Sequence, residues 1–248
     1  QSISLAGEWN VELGKSGSAF AKSKHAPQGE VKRAILPGTI DTNHLGFAPK
    51  DTMETTHLTR LYAYKGAARY SRTINIPKDW KKKPVELFLE RTRPTWVYVD
   101  GELVDSCNFI STPQRYLLPK KVKPGKHLLE IVVDNGRGVP EQVYGSSHAY
   151  TEDTQTNWNG IIGEIRLEVK SEERRVKKQR SASEGKANSN VLPDFAKDFH
   201  IEGAHFYANG HRMFLRGKHD AAVWPLTGHV EMSVEGWMKY LGTCKEYG

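Results

Sequence analysis

The chain has 248 residues, 38% of them hydrophobic and 26% charged, with a formal net charge of +7. This composition suits a soluble protein with one large domain, or one domain and a shorter second segment. It excludes a helical membrane span, because no run approaches the ~18 consecutive apolar residues that such a span needs.

Much of the positive excess is local. Seven Lys or Arg stand between Lys170 and Lys186 against three Glu, and Lys81-Lys82-Lys83 and Lys120-Lys121 sit beside Pro residues at turn signals. Aromatic residues do not interleave with these clusters as a stacking platform for single strands requires. No nucleic-acid partner and no membrane partner is therefore expected. The start, Gln1-Ser-Ile-Ser-Leu5, has no basic-then-apolar signal segment. A start without Met suggests that a signal peptide has been removed, so a periplasmic or secreted protein is expected. Cys107 and Cys244 are the only cysteines and lie 137 residues apart, in what read as different domains. Neither a disulfide framework nor a cysteine metal site is expected, and no cofactor.

Residues 1–169 read as all-β. The runs 69–76, 85–90, 95–99, 127–133 and 163–169 are β-branched, aromatic and often alternating. Pro77-Lys-Asp79, Asp100-Gly101 and Lys123-Pro-Gly125 separate them as turn signals. Short strands at this spacing predict a sandwich of two sheets over one core. Val97–Val104 predicts a hairpin around Asp100-Gly101, a pair that tolerates φ > 0 at both central positions.

Residues 170–198 change character. Ser181–Asn190 is small and polar, follows the basic run and shows no hydrophobic period, so a mobile linker is expected there. Residues 199–248 then open an α/β unit. Phe206–Gly210 predicts a hairpin with an Asn-Gly turn, and Arg212–Gly217 the strand leaving it. Ser233 starts a helix in which Trp237, Tyr240, Leu241 and Cys244 share one face.

Several stretches, taken in order, carry a family resemblance: Leu5-Ala-Gly-Glu-Trp-Asn10, Leu36-Pro-Gly-Thr39, Ala68-Arg-Tyr-Ser-Arg72, Leu87-Phe-Leu-Glu-Arg91 with Val97-Tyr-Val-Asp-Gly101, and Asn157-Trp-Asn-Gly-Ile-Ile-Gly163. Together they resemble the N-terminal sugar-binding domain of family 2 glycoside hydrolases, the β-galactosidase and β-glucuronidase group. Phe214-Leu-Arg-Gly217, Pro225-Leu-Thr-Gly228 and the helix ending Lys245-Glu-Tyr-Gly248 look like the start of that family's catalytic TIM barrel. The resemblance thus implies a mainly β chain: a jelly-roll, galactose-binding-like β-sandwich followed by an incomplete α/β segment, the first βα unit of a TIM barrel. It implies a sandwich over 1–169, a basic polar linker over 170–198 and a truncated barrel start over 199–248. The family places an immunoglobulin-like domain of about 100 residues between the two parts, where this chain has the 29 residues 170–198.

The resemblance implies a β-galactosidase-like protein of carbohydrate or polysaccharide degradation, with an oligosaccharide or glycoside substrate. Retaining hydrolysis uses two carboxylates about 5–5.5 Å apart. The family's two catalytic Glu positions follow later barrel strands and have no counterpart here, so this chain is expected to be inactive alone. The alternative is a stand-alone carbohydrate-binding module. Self-association through residues 199–248 is also expected, because an unpaired strand edge and an exposed apolar helix face favour it.

Substrate-binding candidates follow the resemblance. Asp153, Asn157 and Trp158 lie in a polar segment that the family leads toward its sugar pocket, where they offer hydrogen bonds and an aromatic platform. The competing reading is a polar loop whose Asp and Asn cap turns. His57 and Arg60 lie in Thr55-Thr-His-Leu-Thr-Arg60. Arg60 suits an acidic sugar, or else a structural pairing with a buried Asp or Glu. His219 and Asp220 end the first barrel-like strand, where barrel enzymes place functional side chains, and Trp224 precedes Pro225 as an aromatic platform. Ser147, His148 and Asp153 lack a nucleophile-elbow pattern, and Gly136-Arg-Gly138 lacks the helix of a phosphate cradle.

Overall fold

The computed structural model describes residues 1–14, 30–49, 53, 55–170, 198–215, 217, 219 and 224–247. These form two compact units, one from residues 1–170 and 222–248 and the other from 171–221. The expected linker segment 171–197 lies outside the described residues.

The larger unit is a β-sandwich. Its first strands are β1 (Ser2–Ser4), β2 (Gly7–Leu13), β3 (Val31–Leu36), β4 (Gly38–Thr39), β5 (Ala67–Ile76) and β6 (Val85–Leu89). There follow β7 (Thr95–Val99), β8 (Glu102–Cys107), β9 (Gln114–Leu117), β10 (Gly125–Asp134), β11 (Gly160–Ile161) and β12 (Ile165–Val169). Helix α1 (Glu141–Ser146) precedes β11. One sheet has the order β3-β2-β5-β10-β7-β8 and faces a second of order β1-β12-β6-β9, while β4 and β11 pair separately. Every pairing is antiparallel.

Both sheets send side chains into one core. Trp9, Val11, Tyr70, Ile74, Val97, Leu129 and Ile131 meet Leu87, Leu89, Tyr116, Ile165 and Leu167 there. Burying each large aliphatic side chain contributes about 1.5–3 kcal/mol against conformational entropy. Strand β7 keeps the alternation that its sequence shows, with Thr95, Val97 and Val99 inward and Trp96 and Tyr98 on the other face. Strand β6 does not. All five of its residues are buried, because the outer face of the small sheet is covered as well. There the Arg166 and Arg115 guanidinium carbons stand 3.7 and 4.4 Å from the Phe88 ring centroid. Arg115 and Lys170 also pair with the buried Glu86 at 2.7 and 3.1 Å.

The β7–β8 hairpin turns at Asp100 and Gly101, with φ of 52° and 77°, as its dipeptide predicts. Its side chains also link to β10. Asp100 Oδ1 accepts from Leu128 N at 2.9 Å, and Oδ2 accepts from His127 Nδ1 at 2.6 Å. His127 Nε2 lies 2.6 Å from the Lys123 carbonyl. A carbonyl and a carboxylate only accept, so both ring nitrogens donate and the imidazole is protonated. Burial opposes that charge, but the two acceptors outweigh it and raise the His127 pKa. The same hydrogen bond lowers that of Asp100. The contribution of the pair is fully present below about 6.5, the unfolded imidazole value, and above about 3.9, the unfolded carboxylate value. It is lost as pH rises through the raised His127 pKa or falls through the depressed Asp100 pKa. Urea midpoints measured across pH are therefore expected to fall on the alkaline side in the native protein. His127→Gln should flatten that limb; an unchanged limb would exclude His127 as its source.

In the same unit, helix α2 spans Val234–Glu246, and its N-cap Ser233 Oγ accepts from Gly236 N at 3.0 Å. Trp237, Tyr240 and Cys244 are half-buried, whereas Leu241 of the expected face is 55% exposed. Trp224 packs on Trp237 and Tyr240, with ring centroids 5.7 and 5.9 Å apart.

The smaller unit holds a meander of β13 (Phe199–Glu202), β14 (His205–Ala208) and β15 (His211–Met213). Its second turn is Asn209-Gly210, with φ of 52° and 74°, as expected. Strand β15 ends at Met213 rather than Gly217. Phe214 and Leu215, 84% and 56% exposed, continue without a ladder partner to hold them extended. The strand and the helix expected to form one βα unit thus fall in different units. Cys244 groups with Cys107 rather than lying in a separate domain.

Candidate functional site

The turn after β3 builds one wall of a cavity. Asn43 Oδ1 accepts from Ile35 N at 2.6 Å, while its Nδ2 donates to the carbonyls of Ile35 and Thr39. Thr42 Oγ1 accepts from Thr39 N at 2.8 Å. These bonds hold Asp41 and His44 in place, and His44 stacks on Tyr62 with centroids 4.6 Å apart and planes 20° apart. The facing wall is the segment Pro225–Gly228. Gly228 O accepts from Thr156 N at 2.7 Å and from Thr156 Oγ1 at 3.1 Å, and Gly228 N donates to Trp224 O at 2.7 Å. Between the walls lies a cavity of about 320 Å³ lined by Asp41, Thr42, His44, Thr59, Arg60, Leu61, Tyr62, Thr156 and Pro225–Gly228.

Arg60 is the charged centre of this region, its side chain 10% exposed. Nη1 donates to Asn157 O at 3.1 Å and lies 3.4 Å from Asp41 Oδ2, while Nη2 is 3.0 Å from Glu152 Oε1. Burial raises the pKa of both carboxyl groups, and the Arg60 charge opposes the rise. His229 stands edge-on to Trp158, with centroids 6.3 Å apart, and its Nδ1 donates to Val230 O at 2.8 Å. Burial lowers its pKa, which favours the neutral imidazole.

Behind the cavity the backbone is held by long-range polar contacts. Buried Arg93 donates from Nε to Trp158 O at 3.0 Å and from Nη2 to the carbonyls of Ala149 and Thr156. Asn135, Asn157 and Asn159 form a ladder. Asn157 Nδ2 donates to Asn135 O, Asn135 Nδ2 to the carbonyls of Tyr64 and Asn157, and Asn159 Nδ2 to those of Gly66 and Val133.

The candidates from sequence separate accordingly. Arg60 lines the cavity and pairs with acidic side chains, the structural alternative weighed for it. Asn157 and Trp158 are buried, 5% and 1% exposed. Asn157 serves the ladder, and the Arg93 guanidinium carbon stands 4.1 Å from the Trp158 ring centroid. His57 and Asp153 come together at the surface, Nε2 3.9 Å from Oδ1, with both side chains nearly half exposed. Trp224 turns its ring to Trp237 and Tyr240 rather than standing as an open platform. His219 is exposed and belongs to the smaller unit, and Asp220 lies outside the described residues. Asp41, Glu152, Tyr62 and His229 were not singled out from sequence. The Asp41 turn could have been suspected from Leu36-Pro-Gly-Thr39, but no local pattern marks His229.

No family model matches the chain, and no curated protein matches it. Solved structures do. A β-glucuronidase from Ruminococcus gnavus, in complex with D-glucaro-d-lactam, aligns over 69% of this chain and 30% of its own, at 17% identity and a TM-score of 0.52. A GH2 β-galacturonidase from Eisenbergiella tayi, bound to galacturonate, aligns over 69% of this chain and 25% of its own, at 23% identity and a TM-score of 0.46. This chain therefore spans less than a third of each of these two structures. Over the aligned part, the fold is like that of the Ruminococcus gnavus β-glucuronidase.

Proposed function

We propose that this chain is a carbohydrate-binding part of a family 2 glycoside hydrolase of β-galactosidase-like lineage, acting in carbohydrate or polysaccharide degradation outside the cytoplasm. The observation that carries the reading is the cavity beside Arg60, set at one end of a sandwich with that fold. Threonine hydroxyls and a stacked imidazole–phenol pair are the groups that neutral polyols use for hydrogen bonding and C–H contact. Retaining hydrolysis needs one carboxyl group to protonate the leaving oxygen and another to attack the anomeric carbon. Asp41 and Glu152 both pair with Arg60, whose charge favours their ionised forms.

With aryl β-galactosides and β-glucuronides, the purified chain is expected to match the buffer blank. Turnover that disappears when one of its own carboxylates is replaced would overturn that expectation. Binding is the positive test. Calorimetric titration with methyl β-galactoside should give weak saturation, on the order of 1 mM, equivalent to about −4 kcal/mol. Thr227→Trp, which fills the cavity, should abolish it. No saturation with any β-galactoside or β-linked oligosaccharide would remove the carbohydrate reading. The second reading, a stand-alone binding module, is favoured by one observation: both cavity walls come from a single unit. An oligosaccharide affinity in the low micromolar range would select it over a wall of a larger active site.

A further inference from the structure

We propose that this cavity selects a neutral pyranoside and rejects a uronate, because the positive charge of Arg60 is already shared between Asp41 and Glu152. The inference rests on the carbohydrate reading and deepens it. Among the described residues lining the cavity, Arg60 is the only Lys or Arg. Its guanidinium faces two carboxylates, at 3.4 and 3.0 Å, and a backbone carbonyl at 3.1 Å. Arg93 is charged as well and also acts on Glu152, so two cations and two anions balance and Arg60 keeps no charge in reserve for a further anion.

The side chains concerned are largely out of water, 10% exposed for Arg60, 14% for Asp41 and 26% for Glu152. Water therefore screens them less than surface charges. A sugar carboxylate would arrive as a third anion around one guanidinium, a like-charge juxtaposition that strongly disfavours the wrong partner. His229 supplies no compensating cation, since its burial favours the neutral ring.

The backbone points the same way. Glu152 sits at φ 60°, a left-handed conformation that few residues other than Gly, Asn or Asp adopt readily. In that conformation its carboxylate lies 3.0 Å from Arg60 Nη2. A neutral sugar needs no free cation; Thr42, Thr156 and Thr227 donate their protons to backbone carbonyls, so their oxygens accept from its hydroxyls, and the Tyr62–His44 stack suits its C–H face. The matched structures are named as a glucuronidase and a galacturonidase; the charge around this cavity favours the opposite preference.

The test compares methyl β-D-galactopyranoside with methyl β-D-galacturonide, which differ only at C6, by titration against the full chain. The neutral glycoside is expected to bind about tenfold or more tightly than the uronide. Glu152→Gln removes one negative charge while keeping the shape, and should narrow that ratio severalfold. Asp41→Asn is the second variant, with folding of each checked by circular dichroism. Equal or tighter uronide binding by the native chain would overturn the proposal and leave the carbohydrate reading standing. So would a ratio unmoved in whichever variants fold. Binding of neither sugar would remove both. Should neither variant fold, the ratio for the native chain alone decides.

Discussion

Replacing Arg93 with alanine is expected to destabilise the sandwich by about 5 kcal/mol, near the upper limit for a single substitution. Arg93 is 2% exposed and lies between two aromatic rings, its guanidinium carbon 4.1 Å from the Trp158 centroid and 4.4 Å from that of Tyr150. It donates to three carbonyls, those of Trp158, Thr156 and Ala149, at 3.0, 3.2 and 2.7 Å. Removing it strands these buried acceptors, each at about 1–3 kcal/mol, and opens a void between the rings. Burial lowers the Arg93 pKa to about 10, so the group stays charged at neutral pH and its hydrogen bonds are charge-assisted. Lysine keeps the charge but not the planar fork, and Arg93→Lys should fall between native and alanine. Urea unfolding followed by tryptophan fluorescence measures all three. A loss below about 2 kcal/mol for alanine would show that water replaces the guanidinium at those carbonyls.

Gly228→Ala is expected to release the Pro225–Gly228 wall and weaken glycoside binding more than tenfold, equivalent to more than about 1.4 kcal/mol. Gly228 has φ of 75°, and an added Cβ would stand 2.3 Å from Thr156 Oγ1 and 2.7 Å from Thr156 Cγ2. The backbone conformation disfavours any L side chain, and the Thr156 atoms lie too close for a β-carbon. The two bonds from Thr156 to Gly228 O must then lengthen or break. Fast exchange at the Thr156 amide, with most core amides still protected, would locate the change at this wall. The global unfolding free energy should fall less than in Arg93→Ala, since this wall lies at the edge of the core. Unchanged Thr156 protection together with unchanged affinity would show that the wall accommodates the methyl group.

These two positions also mark where reading the sequence stops. Strands β5, β6, β7 and β10 were legible because β-branched and aromatic residues cluster between turn dipeptides. The hairpins at Asp100-Gly101 and Asn209-Gly210 were legible because few residue pairs accept two consecutive positive φ values. The start of helix α2 at Ser233 was legible from its cap and its spacing. All of these signals act within a few residues.

Arg93 and the charges around Arg60 act over much longer separations. Arg93 Nε reaches a carbonyl 65 residues away, and Arg60 Nη1 one 97 residues away. Such contacts leave no period and no turn signature, so Arg60 could be read either as a ligand group or as a structural one. Trp158 and Asn157 were ambiguous for the same reason. An aromatic and an amide in a polar stretch look ready for a sugar until the fold places an arginine over one and an asparagine ladder around the other.

The sequence by itself determined the β-sandwich, its turn positions and the helix near residue 233, because local conformational preference and hydrophobic pattern set those features. Only the tertiary structure decided that residues 224–247 belong with the sandwich while 199–213 form their own small sheet. It alone decided that Arg60 serves two carboxylates and that Trp158 is core. Those outcomes depend on which buried polar groups find partners across distant segments, and burial makes an unpaired one too costly to leave.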